Sequence, residues 1–234
     1  MTSKIITTSS GVADAGDIEL DVDHTIRLIE ESRLSTESVG GGGGKIYVKV
    51  KDLLYLKDST ITTAITTGGK VNSGDIFVDP DVITIEESSI QTSVQSGVGG
   101  HVRLIGMDLN IINGSDITTA GDNPDGSGQI ELIGTQSISF IGTGLGGEPN
   151  EINTRNSGIG DAGSFIMFTD NLTTEVGNPV LKLDAAVGQD GVQIVYPMLF
   201  LEAMAAWRFG ELCSNQTPTI IEILVFWNNA FTCP

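Results

Sequence analysis

Apolar residues recur along this chain in short segments at fixed spacing, most clearly between residues 102 and 128. There, three segments at 102–104, 109–111 and 117–119 are each bounded by Gly, Asp, Asn or Ser. Within segments, apolar and polar positions alternate, with Ile18, Leu20 and Val22, or Ile46, Val48 and Val50, on one side. Period two is the strand signal, and the many β-branched residues suit a pleated, half-buried surface.

The three-segment unit repeats. First segments open at Ile18, Ile46, Ile76, Val102, Ile130, Phe165 and Val192. Second segments open at Ile26, Leu54, Ile83, Leu109, Ile138 and Leu172, and third segments at Leu34, Ile61, Ile90, Ile117, Ile152 and Val180. The period is about 28 residues, as in a stacked repeat. Units open on Gly, any residue, apolar, as in Gly16-Asp17-Ile18, Gly74-Asp75-Ile76 and Gly128-Gln129-Ile130. Third segments read apolar, any residue, Thr, as in Leu34-Ser35-Thr36, Ile90-Gln91-Thr92 and Ile117-Thr118-Thr119. A hydroxyl stands two residues earlier at Ser32, Ser59, Ser88 and Ser115.

Parallel strands need a connection of roughly a dozen residues, and equivalent segments one period apart supply it. The pattern therefore predicts an all-β fold: a right-handed parallel β-helix of three-strand coils, about 28 residues per coil and about six coils over residues 1–196. A coil buries about seven apolar side chains worth roughly 1.5–3 kcal/mol each. Fixing its backbone costs roughly 1–2 kcal/mol per residue, so coils must stack to be stable.

Both ends depart from the pattern. Ser3-Lys4-Ile5-Ile6-Thr7 reads as a third segment, so the chain is expected to begin partway through a coil, as a fragment of a longer protein would. Open strand edges there would favour end-to-end self-association. Residues 197–234 form a second region. Over 197–212, Phe200, Ala203, Met204 and Trp207 fall at helical spacing behind Pro197, which predicts a short α-helix capping the last coil. Residues 218–227, PTIIEILVFW, alternate as a strand that is apolar on both faces.

Composition narrows the function. Glycine, at 30 of 234 residues, is roughly double the usual share of about 7% and fits many tight turns. Lys plus Arg number 12 against 30 Asp plus Glu, a net charge of -18. That surface repels phosphate backbones, which excludes nucleic acid as a partner. Cys213 and Cys233 both lie in the tail, where a single disulfide in an oxidising compartment and two free thiols are both open. The chain as written carries neither an apolar signal-peptide core nor a stretch long enough to span a bilayer.

Few residues suggest chemistry. Asp23, Asp52, Asp81, Asp108 and Asp170 fall near the same place in successive units. A ladder of carboxylates there would suit glycoside cleavage or calcium, whereas turns favour Asp for its own sake. His24 and His101 lie three units apart, and the five glycines at 40–44 read as a flexible turn. No cofactor is implied. The irregular coil is the fifth, where residues 142–151, GTGLGGEPNE, carry an insertion. Insertions in solenoids map to loops on a binding face, so Gly142, Gly144, Leu145, Gly147, Glu148 and Asn150 form the candidate recognition loop.

Phrases such as Asp108-Leu109-Asn110-Ile111-Ile112-Asn113-Gly114-Ser115 and Gly160-Asp161-Ala162-Gly163-Ser164, with Gly188-Gln189-Asp190-Gly191-Val192-Gln193-Ile194 ahead of Leu201-Glu202-Ala203 and Cys213, resemble the C-terminal part of filamentous haemagglutinin-like two-partner secretion exoproteins. The resemblance covers roughly residues 3 to 215. It implies a secreted or cell-surface, non-enzymatic structural and adhesive segment from a Gram-negative bacterium or cyanobacterium. It also implies an outer-membrane two-partner secretion transporter for the full-length parent, and host-cell, bacterial-cell or matrix surfaces as partners. The family's N-terminal secretion domain is missing, and the sequence after Cys213 lacks the family's basic, glycine-rich ending. The other class this architecture admits is a β-helix carbohydrate-active enzyme, a polysaccharide lyase or hydrolase.

Overall fold

A computed structural model describes residues 3–66, 72–94, 97–119, 121, 124–183, 185, 193–194 and 222–223. Strand β1 (Lys4–Ser9) precedes three coils of three strands each. These are β2 (Ile18–Val22), β3 (Thr25–Leu28) and β4 (Arg33–Ser38); β5 (Ile46–Val50), β6 (Leu53–Lys57) and β7 (Thr60–Ile65); and β8 (Ile76–Asp79), β9 (Val82–Glu86) and β10 (Ser89–Val94). Three further coils contain two strands each: β11 (Val102–Ile112) and β12 (Asp116–Thr118), β13 (Ile130–Ile141) and β14 (Glu151–Asn153), and β15 (Phe165–Thr174) and β16 (Val180–Lys182). The short strands β17 (Gln193–Ile194) and β18 (Glu222–Ile223) pair with one another in parallel.

All strand pairings between coils are parallel, and the coils stack into a β-solenoid with no helix among the described residues. Third segments form one sheet in the order β1-β4-β7-β10-β12-β14-β16. First and second segments meet in a second sheet, where β11 pairs with both β8 and β9. The apolar columns run in register as the spacing predicts. Ile18, Ile46, Ile76, Val102, Ile130 and Phe165 are stacked partners, and so are Ile26, Leu54, Ile83, Leu109, Ile138 and Leu172. These columns and the third-segment column fill the interior, and Ile46, Leu54, Ile61, Val102, Ile117 and Ile138 are fully buried.

Two details differ from the sequence reading. The last third segment aligns through Leu181, which stands on Ile152, one residue beyond the expected Val180. From the fourth coil onward, first and second segments fuse into single bent strands, with register shifts between Gly106 and Asp108 and between Gly134 and Ser137. Glycine suits these corners, because a Cβ at Gly134 would meet the Ser137 carbonyl oxygen and one at Gly106 the Pro80 carbonyl oxygen. Gly and bulges commonly make such bends.

The expected helix over 197–212 and the cysteines Cys213 and Cys233 lie outside the described residues. So does most of residues 218–227, apart from the strand pair Glu222–Ile223.

Candidate functional site

The residues repeated in every coil bond the coils together. Each third-segment Thr donates its hydroxyl to the carbonyl of the glycine that opens the next unit. Thr36 Oγ1 reaches Gly44 O at 2.6 Å, Thr63 reaches Gly74 at 2.7 Å, and Thr92 reaches Gly100 at 2.7 Å. Thr119 reaches Gly128 and Thr154 reaches Gly163, both at 2.6 Å. The two sequence signatures are therefore donor and acceptor of one hydrogen bond across a corner. Glycine is required at that corner: a Cβ on Gly74, Gly100, Gly128 or Gly163 would collide with the carbonyl oxygen of the equivalent glycine one coil earlier, well under 3.0 Å away.

The serine column closes the next corner. Ser59 N donates to Ser88 Oγ at 3.0 Å and Ser88 N to Ser115 Oγ at 3.3 Å. In the fifth and sixth coils Asn replaces Ser, so that Ser115 N donates to Asn150 Oδ1 at 2.9 Å and Asn150 N to Asn178 Oδ1 at 3.1 Å. The longer amide also holds the inserted loop, because Asn150 Nδ2 donates to Ile141 O at 3.2 Å and Gly142 O at 3.3 Å. The structure thus places Asn150, a residue of the candidate recognition loop, inside the stack at 0% exposure.

The rest of that loop stands off the corner. Thr143 and Pro149 form an antiparallel bridge. Gly144 N donates to Glu148 O at 2.8 Å and Gly147 N to Gly144 O at 2.9 Å. Gly142 and Gly147 take φ values of 71° and 88°, which side chains other than glycine rarely adopt. From the next coil, Glu175 Oε2 accepts Gly142 N at 2.9 Å. At the tip, Leu145 is 99% exposed.

The five-residue carboxylate ladder does not form, although Asp52 and Asp81 stand in line. Leu53 is the partner of Thr25, and Val82 the partner of Leu53, so Asp52 falls in line with His24, not with Asp23. His24 Nδ1 lies 2.9 Å from Asp52 Oδ2, both side chains being open to water. Asp108 is the partner of Val82 and of Ser137, one column away from Asp52 and Asp81. Its Oδ1 accepts the Ser137 hydroxyl at 2.6 Å. His101 acts within the stack: its backbone N donates to Asp75 Oδ1 at 3.0 Å, and its Nδ1 accepts Gln129 N at 2.9 Å. The glycines at 40–44 are wedged between coils, since a Cβ on Gly41 would strike the Ala13 carbonyl and one on Gly44 the Gly16 carbonyl.

A further acidic pair stacks in register, and the residue pattern did not single it out. Asp116 is the partner of Glu151 on the third face. Lys182 Nζ lies 2.6 Å from Glu151 Oε2. Partial burial, then the neighbouring Glu151 charge, push the Asp116 carboxyl up to about 6, against a smaller opposing effect of Lys182. On the second face Lys57 and Tyr55 donate to Glu86 and hold its carboxyl below the usual range. Arg27 lies over the Tyr55 ring at 4.9 Å. Among the described residues, no three His, Cys, Asp or Glu side chains are grouped to hold a metal ion.

Among the described residues, the fold and its side-chain ladders define a parallel β-solenoid whose repeated Thr, Ser and Gly positions join coil to coil, with an inserted loop at 142–149. Comparison with protein-family models, with curated proteins and with solved structures found no match.

Proposed function

We propose that this chain is a non-enzymatic structural and adhesive segment of a secreted or cell-surface β-helix exoprotein. The observation that carries this reading is the use of the repeated side chains. Thr36, Thr63, Thr92, Thr119 and Thr154 are committed to glycine carbonyls, and Ser59, Ser88 and Ser115 to the adjacent coil. Building elements of this kind make a stiff rod, and contact with a partner falls to what departs from the repeat. The loop bearing Gly142, Gly144, Leu145, Gly147 and Glu148 is that departure. The partner surface is a host cell, a bacterial cell or matrix, and the parent protein uses an outer-membrane two-partner secretion transporter, as the sequence resemblance suggests.

The test is adhesion of the purified chain to cells and matrix, with residues 143–149 replaced by a two-residue turn. Saturable binding that drops with the loop replacement is expected. Unchanged binding after the replacement removes the loop from the account, and absence of binding to any surface removes the adhesive reading.

A second reading, a carbohydrate-active enzyme, draws on Asp116 and Glu151, adjacent carboxyls whose environments differ as an acid and a nucleophile require. They stand on an outer sheet face, where Lys182 and the Asn153 amide reach Glu151. Release of reducing ends or unsaturated products from pectins and related acidic glycans, abolished by Glu151→Gln, would reverse the ranking.

A further inference from the structure

We propose that the Leu145–Gly146 peptide bond is a processing site for an endoprotease with a large apolar primary pocket, and that the solenoid stays assembled after the cut. This rests on the loop geometry and is independent of the adhesive reading.

Access comes first. Leu145 is 99% exposed, whereas every other described Leu, Phe and Tyr is buried or half-buried. Proteases bind their substrates extended, over several residues on each side of the cut. Strand residues in this fold are hydrogen-bonded to the coils on either side, so their cleavage requires local unfolding of the stack. The loop is held internally by the two bonds from Gly144 N and Gly147 N. Gly144, Gly146 and Gly147 flank the leucine, and their backbone freedom lets the loop open into a protease cleft at little cost. Exposed loop tips of small residues are the preferred places for nicking.

The cut itself is a hydrolysis. The C–N bond between Leu145 and Gly146 breaks, water supplies the hydroxyl to the Leu145 carbonyl carbon, and a proton goes to the Gly146 nitrogen. The products are a Leu145 carboxylate and a Gly146 ammonium group.

Assembly survives because both flanks of the loop are anchored elsewhere. Upstream, Phe140 is fully buried, and β13 pairs with β15 from Ile130 to Phe140. Downstream, Asn150 accepts Ser115 N, and β14 pairs with β12. No strand is interrupted, and these pairings join the two pieces without a covalent link.

The experiment is limited digestion of the full chain with chymotrypsin, followed by mass analysis and size-exclusion chromatography. The expected result is a fragment ending at Leu145 and one beginning at Gly146, which co-elute and separate only in denaturant. Leu145→Lys should lose that cut and gain a trypsin cut at the same bond, with an unchanged melting temperature showing that the fold is intact. The proposal is overturned if chymotrypsin opens bonds inside β2 to β16 before Leu145–Gly146. It is also overturned if the fragments part without denaturant, or if Leu145→Lys gains no trypsin site there.

Discussion

Replacing Gly128 with Ala tests whether the coils approach as closely as the corner geometry requires. The added methyl would collide with the carbonyl oxygen of Gly100, a backbone atom that no rotamer change can move aside. Relief requires the two coils to separate locally, which strains β11 against β13 and draws Gly128 O away from Thr119 Oγ1, now at 2.6 Å. Overpacking of this kind costs about 1–3 kcal/mol, and the weakened hydrogen bond adds about 1 kcal/mol. A loss of about 2–4 kcal/mol corresponds to a melting temperature lower by about 5–15 °C at this chain length. Gly16 is the control. It opens the first unit, and a Cβ there would lie 3.8 Å from Thr7, in ordinary contact. Gly16→Ala is therefore expected to be neutral, or slightly stabilising through the unfolded chain. Thermal and urea unfolding followed by circular dichroism measure both variants. The reasoning is refuted if Gly128→Ala unfolds within about 0.5 kcal/mol of the parent, the range of an ordinary surface change, or if Gly16→Ala is the more damaging of the two.

Three further outcomes are expected. Thr119→Val keeps the shape but removes the donor to Gly128 O, and should cost about 1–2 kcal/mol in urea unfolding. Asp58 holds a φ of 47°; Asp58→Gly relieves a strain of about 1–2 kcal/mol, less the entropy glycine adds to the unfolded chain, for a net gain of about 0.5–1 kcal/mol in the same assay. Asp116 has its carboxyl raised to about 6 from an ordinary 3.8, so the folded state favours the protonated form. Its contribution is complete below the ordinary value and is lost as pH rises through about 6. Since the side chain is only partly buried, solvent screening holds the drop to about 1 kcal/mol. Melts at about pH 4.5 and about pH 7.5 should show Asp116→Asn with a smaller fall across that window than the parent.

Much of this fold is legible in the sequence because its period is carried by single side chains. The columns through Ile46, Leu54 and Ile61 follow from spacing alone, since inward apolar residues can only stack on their equivalents. The Gly and Thr signatures are equally plain in the sequence, but that they bond to each other depends on a corner that brings residues such as Thr119 and Gly128 together. The fused strands are less legible, because Gly106-Met107-Asp108 reads as a turn and runs on as strand within β11, while the extra residue of the bulge sits in β13 between Gly134 and Ser137. Asp108 stands on Val82 at the same offset by which Val102 stands on Ile76, so it is out of line with Asp81 and a continuous carboxylate ladder does not arise. Asn150 illustrates the limit at the candidate site. Asn favours loops, and only the hydrogen bond from Ser115 N reveals it as the successor of Ser32, Ser59, Ser88 and Ser115. Leu145, whose exposure cannot be inferred from its type, is what the structure adds to the loop.

The in-register stack is tested most directly by paired cysteines on adjacent coils, in a background with Cys213 and Cys233 changed to Ser. Asn110 and Ser139 are stacked partners on the outer face, and Thr173 stands on Ser139 one coil further on. Adjacent strands lie about 4.8 Å apart, within the Cα separation of roughly 4.4–6.8 Å that a disulfide spans. Asn110→Cys with Ser139→Cys is predicted to cross-link within the monomer on mild oxidation. Asn110→Cys with Thr173→Cys, two coils and about 9.6 Å apart, is predicted to remain reduced. Cross-linking of the second pair, or failure of the first, would contradict the coil register on which the whole account stands.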